Sequence, residues 1–457
     1  MNNFQLADFW SIPPNRREAV LLDAIAEAHA WHYPRNRAYR DTLSARGLGA
    51  SLDLTQGAAH TLPRLLRPTA QTFKSYIDRL GTPFAQDCPH AFLEWLADQL
   101  SIELDAERQS RFQLRYRSLE ALLSAVEQAW ADQGFELLTS SGTSGRASIL
   151  VRDRAATQRT VDSFYLSFCR YLGLAAVQRA IFVMPRQSRI AMARMAGFSV
   201  ERLNLPDDQI HFTIPFPADP DRVRVRTGRL FRPGWAGVVE RRWMYPFMGW
   251  MQDHYVTPRT VRATLELLFQ AEATGERVML FAGWVQLHAI AQALQGQGRR
   301  LRLTPGSLLG TGGGLKEIYP FTLDQIRADL SAAVELADGA PVPIRDVYGM
   351  AEANWAAMQC GQGHYHLPPW VYARALDEDD NLQEDADATG LLAFFDPYGG
   401  GDLFPAFFKT ADQVRLIRPN ETNADLRCPC GEPGDYLAQG SLQRVDLMDE
   451  AGCAAQV

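Results

Sequence analysis

The sequence predicts an α/β fold preceded by a mostly helical region, and three observations carry that expectation. Within the first 130 or so residues, apolar positions recur at helical spacing over Ala19 to His29, Ala91 to Leu104 and Leu119 to Trp130. From Phe135 onward the pattern changes to short apolar runs separated by helical segments, the alternation of a layered α/β core. The chain has 457 residues, 46% hydrophobic and 22% charged, enough for two or three domains of an ordinary soluble globular protein. The expected division is a helical N-terminal region over 1–130, an α/β core over 131–425 and a short C-terminal segment over 426–457.

Taken in order, Pro13-Pro14, Pro63, Pro68 and Pro83 punctuate the helical region. The runs Ile181 to Met184, Val278 to Ala282, Ile344 to Tyr348 and Leu391 to Phe395 predict strands, and Val261 to Ala271 predicts a helix between them. The acidic stretch Asp377 to Asp387 lacks a core pattern and reads as a solvated loop. The aromatic run Arg241 to Trp250 (Trp243, Tyr245, Phe247, Trp250) reads as a wall of a substrate site or as core, with core favoured for most of it.

Composition excludes several function classes. A net charge of -7 argues against nucleic acid as the main partner, because a phosphate backbone selects clustered positive charge. The opening residues, interrupted by Asp8, Arg16 and Arg17, carry no basic-then-apolar signal. The most apolar stretch, Val278 to Leu294, is broken by Gln286 and His288, so no transmembrane segment is expected and the cytoplasm is the default location. Six cysteines do not make a disulfide framework in this length. Lysine is scarce, yet Lys316 and Lys409 both sit inside candidate site motifs.

The run Thr139, Ser140, Ser141, Gly142, Thr143, Ser144, Gly145 and Arg146 packs hydroxyls, glycines and a cation between two strand-like flanks. Glycines let backbone N–H groups approach a polyanion, hydroxyls donate further hydrogen bonds and arginine adds charge. The Gly-Lys-Ser/Thr ending of a Walker loop is absent. Three more motifs follow: Gly310 to Lys316, containing Gly312, Gly313 and Gly314; Asp346 to Glu352, with Tyr348 and Gly349; and Phe408 to Arg415, with Lys409 and Asp412. Singly, each has a plain reading as turn, core aromatic or surface acid. Their order is far more specific than any one of them.

Over roughly residues 135 to 445 this ordered set resembles the adenylate-forming superfamily of acyl-CoA synthetases, phenylacetate-CoA ligases and relatives. The resemblance implies an adenylate-forming large domain whose phosphate loop is Ser140 to Arg146 and whose adenine-contacting glycines lie in Gly312 to Leu315. It implies that Tyr348 stacks on adenine, Glu352 holds magnesium and Asp412 binds ribose, with Arg415 in the place of a following arginine. The chemistry agrees: a carboxylate attacking the α-phosphate of ATP brings two anions together, so the site needs metal, N–H donors and a cation.

Only about 40 residues follow Asp412, so the family's mobile C-terminal domain, with its catalytic lysine, is expected to be truncated or absent. Support for adenylation then falls to Lys316, Lys409 or arginines. The segments Leu62 to Leu66, Phe73-Lys74, Gly440 to Val445 and Glu450 to Cys453 look like the acyl-protein synthetase of bacterial bioluminescence. That likeness implies activation of a fatty acid and transfer onto Cys453, for delivery to an acyl reductase or carrier. The alternatives are a CoA ligase of the phenylacetate type and an adaptor that binds nucleotide without catalysis. The family's Gly-Arg pair is replaced here by Gly440-Ser441, with Arg444 three residues on, and this leaves the arginine's role open.

Cys360, His366, Cys428 and Cys430 offer three sulfurs and a nitrogen for a structural zinc, with His364 as a competing ligand and reduced loop cysteines as the alternative. The acid is expected to bind between Val278 to Gln286 and Val347 to Ala353, with Trp284, His288, Met350 and Asn354 as lining candidates.

Overall fold

The computed structural model describes residues 5–54, 57–140, 146–315 and 319–445. Ser141 to Gly145, Lys316 and Cys453 lie outside the described residues.

The helical region begins with Pro14–His32, whose first position is a proline, where a missing N–H costs nothing. Asn36 caps the next helix (Arg37–Ala45) by accepting from Tyr39 N at 2.9 Å, and Ser118 caps Leu119–Ala129 by accepting from Ala121 N at 3.1 Å. The strands, in chain order, are β1 (Arg67–Pro68), β2 (Glu136–Thr139), β3 (Ile149–Arg152), β4 (Arg179–Pro185), β5 (Ile210–Ile214), β6 (Val278–Phe281), β7 (Leu301–Leu303), β8 (Leu308–Gly312) and β9 (Val334–Leu336). They continue with β10 (Ile344–Tyr348), β11 (Ala357–Gln359), β12 (Tyr365–His366), β13 (Tyr372–Leu376), β14 (Asp387–Asp396), β15 (Ala406–Ile417), β16 (Tyr436–Leu437) and β17 (Gln443–Arg444).

A 13-stranded sheet organises the molecule. Its parallel half runs β5-β4-β6-β8-β10, and β11 to β17 add an antiparallel half. Successive residues of a strand face opposite sides, and β4 uses this fully. Ile181 and Val183 enter a core with the helices Thr257–Thr274, Trp284–Gly296 and Leu323–Ala333, whereas Ala180, Phe182 and Met184 enter another beside the helix Arg154–Leu172. Asp153 caps that last helix and Gly173, in the left-handed conformation, ends it.

One core crosses both expected boundaries. Phe9, Ile25, Tyr39, Leu62 and Phe92 from the helical region pack with Phe394, Phe395, Phe407 and Phe408 of β14 and β15. Residues 436–444 likewise join the large sheet through β16 and β17. The acidic stretch is a solvated hairpin tip, although Asp387 already begins β14.

The aromatic run Arg241 to Trp250 is the main correction to the sequence reading. It is not core: every residue from 241 to 247 is exposed, although Tyr245 still packs edge-on against Phe231. Apolar residues at helical spacing predict an amphipathic helix but do not say which way its stripe faces. Among the described residues, no helix is long and apolar enough to cross a membrane.

Candidate active site

Parallel strands β4, β6, β8 and β10 all end at one edge of the sheet, where open α/β folds place ligands. The β2–β3 hairpin is fastened to this edge: Thr139 N donates to Arg189 O, just beyond β4, at 2.8 Å. Its loop closes through Ser140 N to Ser148 O at 3.1 Å and Ser148 N to Ser140 Oγ at 2.9 Å. Tyr76 of the helical region secures the loop's far end, donating to Ala147 O at 3.0 Å beside the exposed Arg146.

Ser148 then ties the loop to the Tyr-Gly-x-x-Glu motif. Its buried hydroxyl donates to Glu352 Oε1 at 2.6 Å, across 204 residues of sequence. Behind Glu352 stands Arg152, which sequence reasoning missed. Its guanidinium donates to Asn354 Oδ1 at 2.7 Å, Ala351 O at 3.2 Å and Ala353 O at 3.1 Å, so it grips the chain on both sides of the carboxylate. Burial lowers Arg152 to about 10, against the opposing charges of Asp396 and Glu352. Asp396 is fully buried, which raises its carboxyl to about 6, while Tyr398 N and Gly399 N donate to it at 3.2 and 2.8 Å. A Cβ on Gly399 would fall 2.1 Å from Asp396 Oδ2, so the close approach requires glycine here.

The Asp412 motif meets the same Tyr-Gly-x-x-Glu motif. Tyr348 donates its hydroxyl to Asp412 Oδ2 at 2.8 Å. Burial, and then the adjacent Asp412 carboxylate, hold the Tyr348 phenol well above its ordinary range, so it acts as a neutral donor. A bulge aims Asp412: Thr410, Ala411 and Asp412 of β15 all face the single residue Leu392 of β14. Thr410 stabilises it by donating to Leu392 O at 2.9 Å while accepting from Asp412 N at 3.1 Å. On the other side of β15, Arg444 of β17 pairs in register with Asp412. Its charge reaches Tyr348, which gives a place to the arginine that the sequence left open.

Gly312 ends β8 directly beside Val347, and a Cβ there would lie 3.1 Å from Val347 O. Gly313 and Gly314 follow with φ of 82° and 68°, exposed at the same strand edge, while half-buried Gly349 follows Tyr348 at the end of β10. Ser140, Gly312 to Gly314, Tyr348, Glu352 and Asp412 thus gather at one edge.

Lys409 and Arg415 are not drawn into this cluster. Lys409 forms an ion pair with Asp380, and Arg415 makes a two-pronged pair with Asp387 at 2.7 and 2.5 Å on the surface. The acyl-lining expectation is also corrected. Trp284 and His288 are buried in a core, His288 being held by the Tyr319 hydroxyl and Asp329 at 2.8 Å each, and Asn354 is taken by Arg152. Met350 alone of the four is half-buried near the motif.

A second cluster lies on the antiparallel half. The donor atoms of Cys360, His366, Cys428 and Cys430 all fall within 4.8 Å of one another. Cys360 Sγ is 3.8 Å from Cys428 Sγ, and Cys430 Sγ is 3.3 Å from His366 Nε2. Zinc–sulfur bonds of about 2.3 Å at tetrahedral angles separate two sulfurs by about 3.8 Å, and a sulfur from an imidazole nitrogen by about 3.6 Å. Both spacings fit. His364 stays outside the cluster, its Nδ1 accepting from Gln439 N at 3.0 Å. Gly431 at φ 87° completes the knuckle turn after Cys428 and Cys430. Burial opposes ionisation of Cys360, but the His366 hydrogen bond and nearby backbone N–H groups bring its thiol below the ordinary value.

Known proteins resemble this chain in sequence and in fold. Residues 250–457 match the family described as "Acyl-protein synthetase, LuxE". The long-chain-fatty-acid–luciferin-component ligase of Aliivibrio fischeri is 32% identical over 149 residues, 32% of this chain and 35% of that protein. A ligase of the same description from Vibrio harveyi is 23% identical over 323 residues, 69% of each chain. The chain therefore spans about a third of the length of the first relative and about two thirds of the second. Among solved structures, 2-hydroxyisobutyryl-CoA ligase in an open conformation, bound to 2-HIB-AMP and CoA, has a TM-score of 0.53 at 11% identity. The same ligase in its thioesterification state also has a TM-score of 0.53, at 12% identity. These alignments cover 93% and 95% of this chain and 69% of the ligase in both cases. The resemblance to acyl-protein synthetases and the adenylate-forming fold are thus both met by known relatives.

Proposed function

We propose that this chain activates a carboxylic acid with ATP and passes the acyl group to a thiol. The carboxylate oxygen attacks the α-phosphorus, the bond to the β-phosphate bridging oxygen breaks, and pyrophosphate leaves. A thiolate then attacks the acyl carbon and AMP departs. The observation that carries the reading is the pair of long-range hydrogen bonds, Ser148 to Glu352 and Tyr348 to Asp412, which join segments from three parts of the chain at one strand edge.

In this reading the Ser140 to Arg146 loop holds the terminal phosphates, Gly312 to Gly314 lie against the adenine, and Asp412 takes the ribose. Tyr348 keeps its proton and so orients Asp412. Glu352 suits magnesium: its carboxylate is half-exposed, a hard oxygen donor, and braced by Ser148 and Arg152. Magnesium would supply positive charge against the phosphates. Lys316 is kept as the lysine candidate, because Lys409 and Arg415 are engaged elsewhere. The descriptions of the relatives support a long-chain fatty acid as substrate; in this reading Cys453 is the acceptor and an acyl reductase or carrier the next partner. The knuckle is assigned a structural zinc, and thiols kept free for it fit a cytoplasmic setting.

Incubation with ATP and radiolabelled acid, without CoA, tests the scheme. Label on the protein that disappears in Cys453→Ser supports self-acylation. Label appearing only on added CoA supports a CoA ligase, whose chemistry the 2-hydroxyisobutyryl-CoA ligase complexes favour. Acid-dependent pyrophosphate exchange that survives Glu352→Gln undiminished would remove the metal-ligand role, and ATP binding with no exchange for any acid would leave an adaptor.

A further inference from the structure

A continuous helix runs from Gly234 to Thr274 through two short π-helical stretches, Glu240–Met244 and Gln252–Val256, and is about 60 Å long. Its last third packs into the core through Thr264, Leu265, Leu268 and Ala271. The first part instead turns its apolar stripe outward. Trp235 is 80% exposed, Trp243 72%, Phe247 60% and Trp250 54%. These positions share a face at helical spacing: Phe247 stacks on Trp250 and Trp250 on His254, with centroids 6.3 and 5.4 Å apart. So large an outward aromatic stripe marks an interaction surface.

Charge identifies what it meets. Residues 229–262 carry five exposed arginines (229, 241, 242, 259 and 262), besides the half-buried Arg232 paired with Asp87, against two acids, in a chain whose net charge is -7. One of those acids, Glu240, is buried in a two-pronged pair with Arg224 at 2.6 and 2.9 Å, so its charge does not offset the exposed arginines. Arg241 and Arg242 are both exposed immediately before Trp243. Protruding tryptophans flanked by arginines match the headgroup zone of an anionic bilayer, where the rings reach the acyl boundary and the guanidinium groups meet phosphates. A protein groove would take the stripe without needing the cations.

We infer that this helix docks the protein on an anionic lipid surface, with Trp243, Phe247 and Trp250 inserted at headgroup depth. The inference is independent of the acid-activation reading, because it concerns a face built from other residues. The test is flotation of the full chain with phosphatidylcholine vesicles, with and without about one third phosphatidylglycerol, in low and high salt. Binding should require the anionic lipid and weaken at least tenfold in high salt. It should fall at least tenfold in Trp243→Ser/Phe247→Ser/Trp250→Ser and, separately, in Arg241→Glu/Arg242→Glu. Unchanged melting would show that both variants fold. Equal binding to the two vesicle types, binding undiminished in either variant, or a stripe-dependent dimer that ignores vesicles would each overturn the inference.

Discussion

Replacing Arg152 by methionine should be far more damaging than its distance from any acid–base role suggests. The guanidinium makes three hydrogen bonds, to Asn354 Oδ1, Ala351 O and Ala353 O, from a fully buried position. Charge-assisted bonds of this kind contribute about 1.5 kcal/mol each at the low end. Relief from burying a cation offsets part of that, while Asp396 loses a neighbouring positive charge. Breaking comparable buried charged clusters costs about 3–5 kcal/mol, and the loss here should fall in that range. The catalytic effect follows from geometry. Arg152 holds the backbone on both sides of Glu352, and a displacement of about 1 Å at a positioned group costs roughly 100-fold in rate. Urea unfolding and acid-dependent pyrophosphate exchange read the two effects separately. An Arg152→Met protein with a wild-type urea midpoint and exchange within threefold of normal would refute the clamp.

Tyr348→Phe leaves Asp412 without its phenolic donor. At about 1.4 kcal/mol for the lost bond, KM for ATP should rise roughly tenfold with a smaller change in kcat. An unchanged KM would detach the pair from nucleotide binding. Purified protein should carry one zinc per chain by elemental analysis. Cys430→Ser should lose it and melt roughly 5 °C lower or more, whereas a metal-free wild type whose melting ignores chelators would rule the knuckle out as a zinc site. Asp396 binds its proton more tightly in the folded chain than its ordinary value of 3.8, so its stabilising contribution is full below that value and is lost as pH rises through about 6. Asp396→Asn should remove this decline, shifting the wild-type-minus-variant stability by about 1 kcal/mol between pH 5 and 7; no shift would contradict the raised carboxyl.

The strands of the parallel half were legible because both faces of that sheet are covered and its strands read as apolar runs, as in Ile181 to Met184. The motif residues were legible as types and in their order, and Cys360, His366, Cys428 and Cys430 through their donor chemistry. Arg152 was not, because a single arginine closing an apolar strand looks like any strand end; its partners lie about 200 residues away. Trp284 and His288 were misassigned for the converse reason, since an aromatic and an imidazole beside an expected pocket cannot be told by sequence from a filled core. The outward stripe at Trp243 to Trp250 escaped because periodicity encodes a face and not its neighbour.

Three residues of β15 stand opposite one of β14 at the point where Asp412 is aimed, so strand length there sets where its carboxylate lies. Deleting Ala411 would draw the chain taut and bring Gln413 toward the position Asp412 now holds, exchanging a carboxylate for an amide while sparing Phe407 and Phe408. If Asp412 takes the ribose as proposed, its aim in this stretch is set by arithmetic as much as by chemistry, and losing one residue would accomplish what several point changes elsewhere would not.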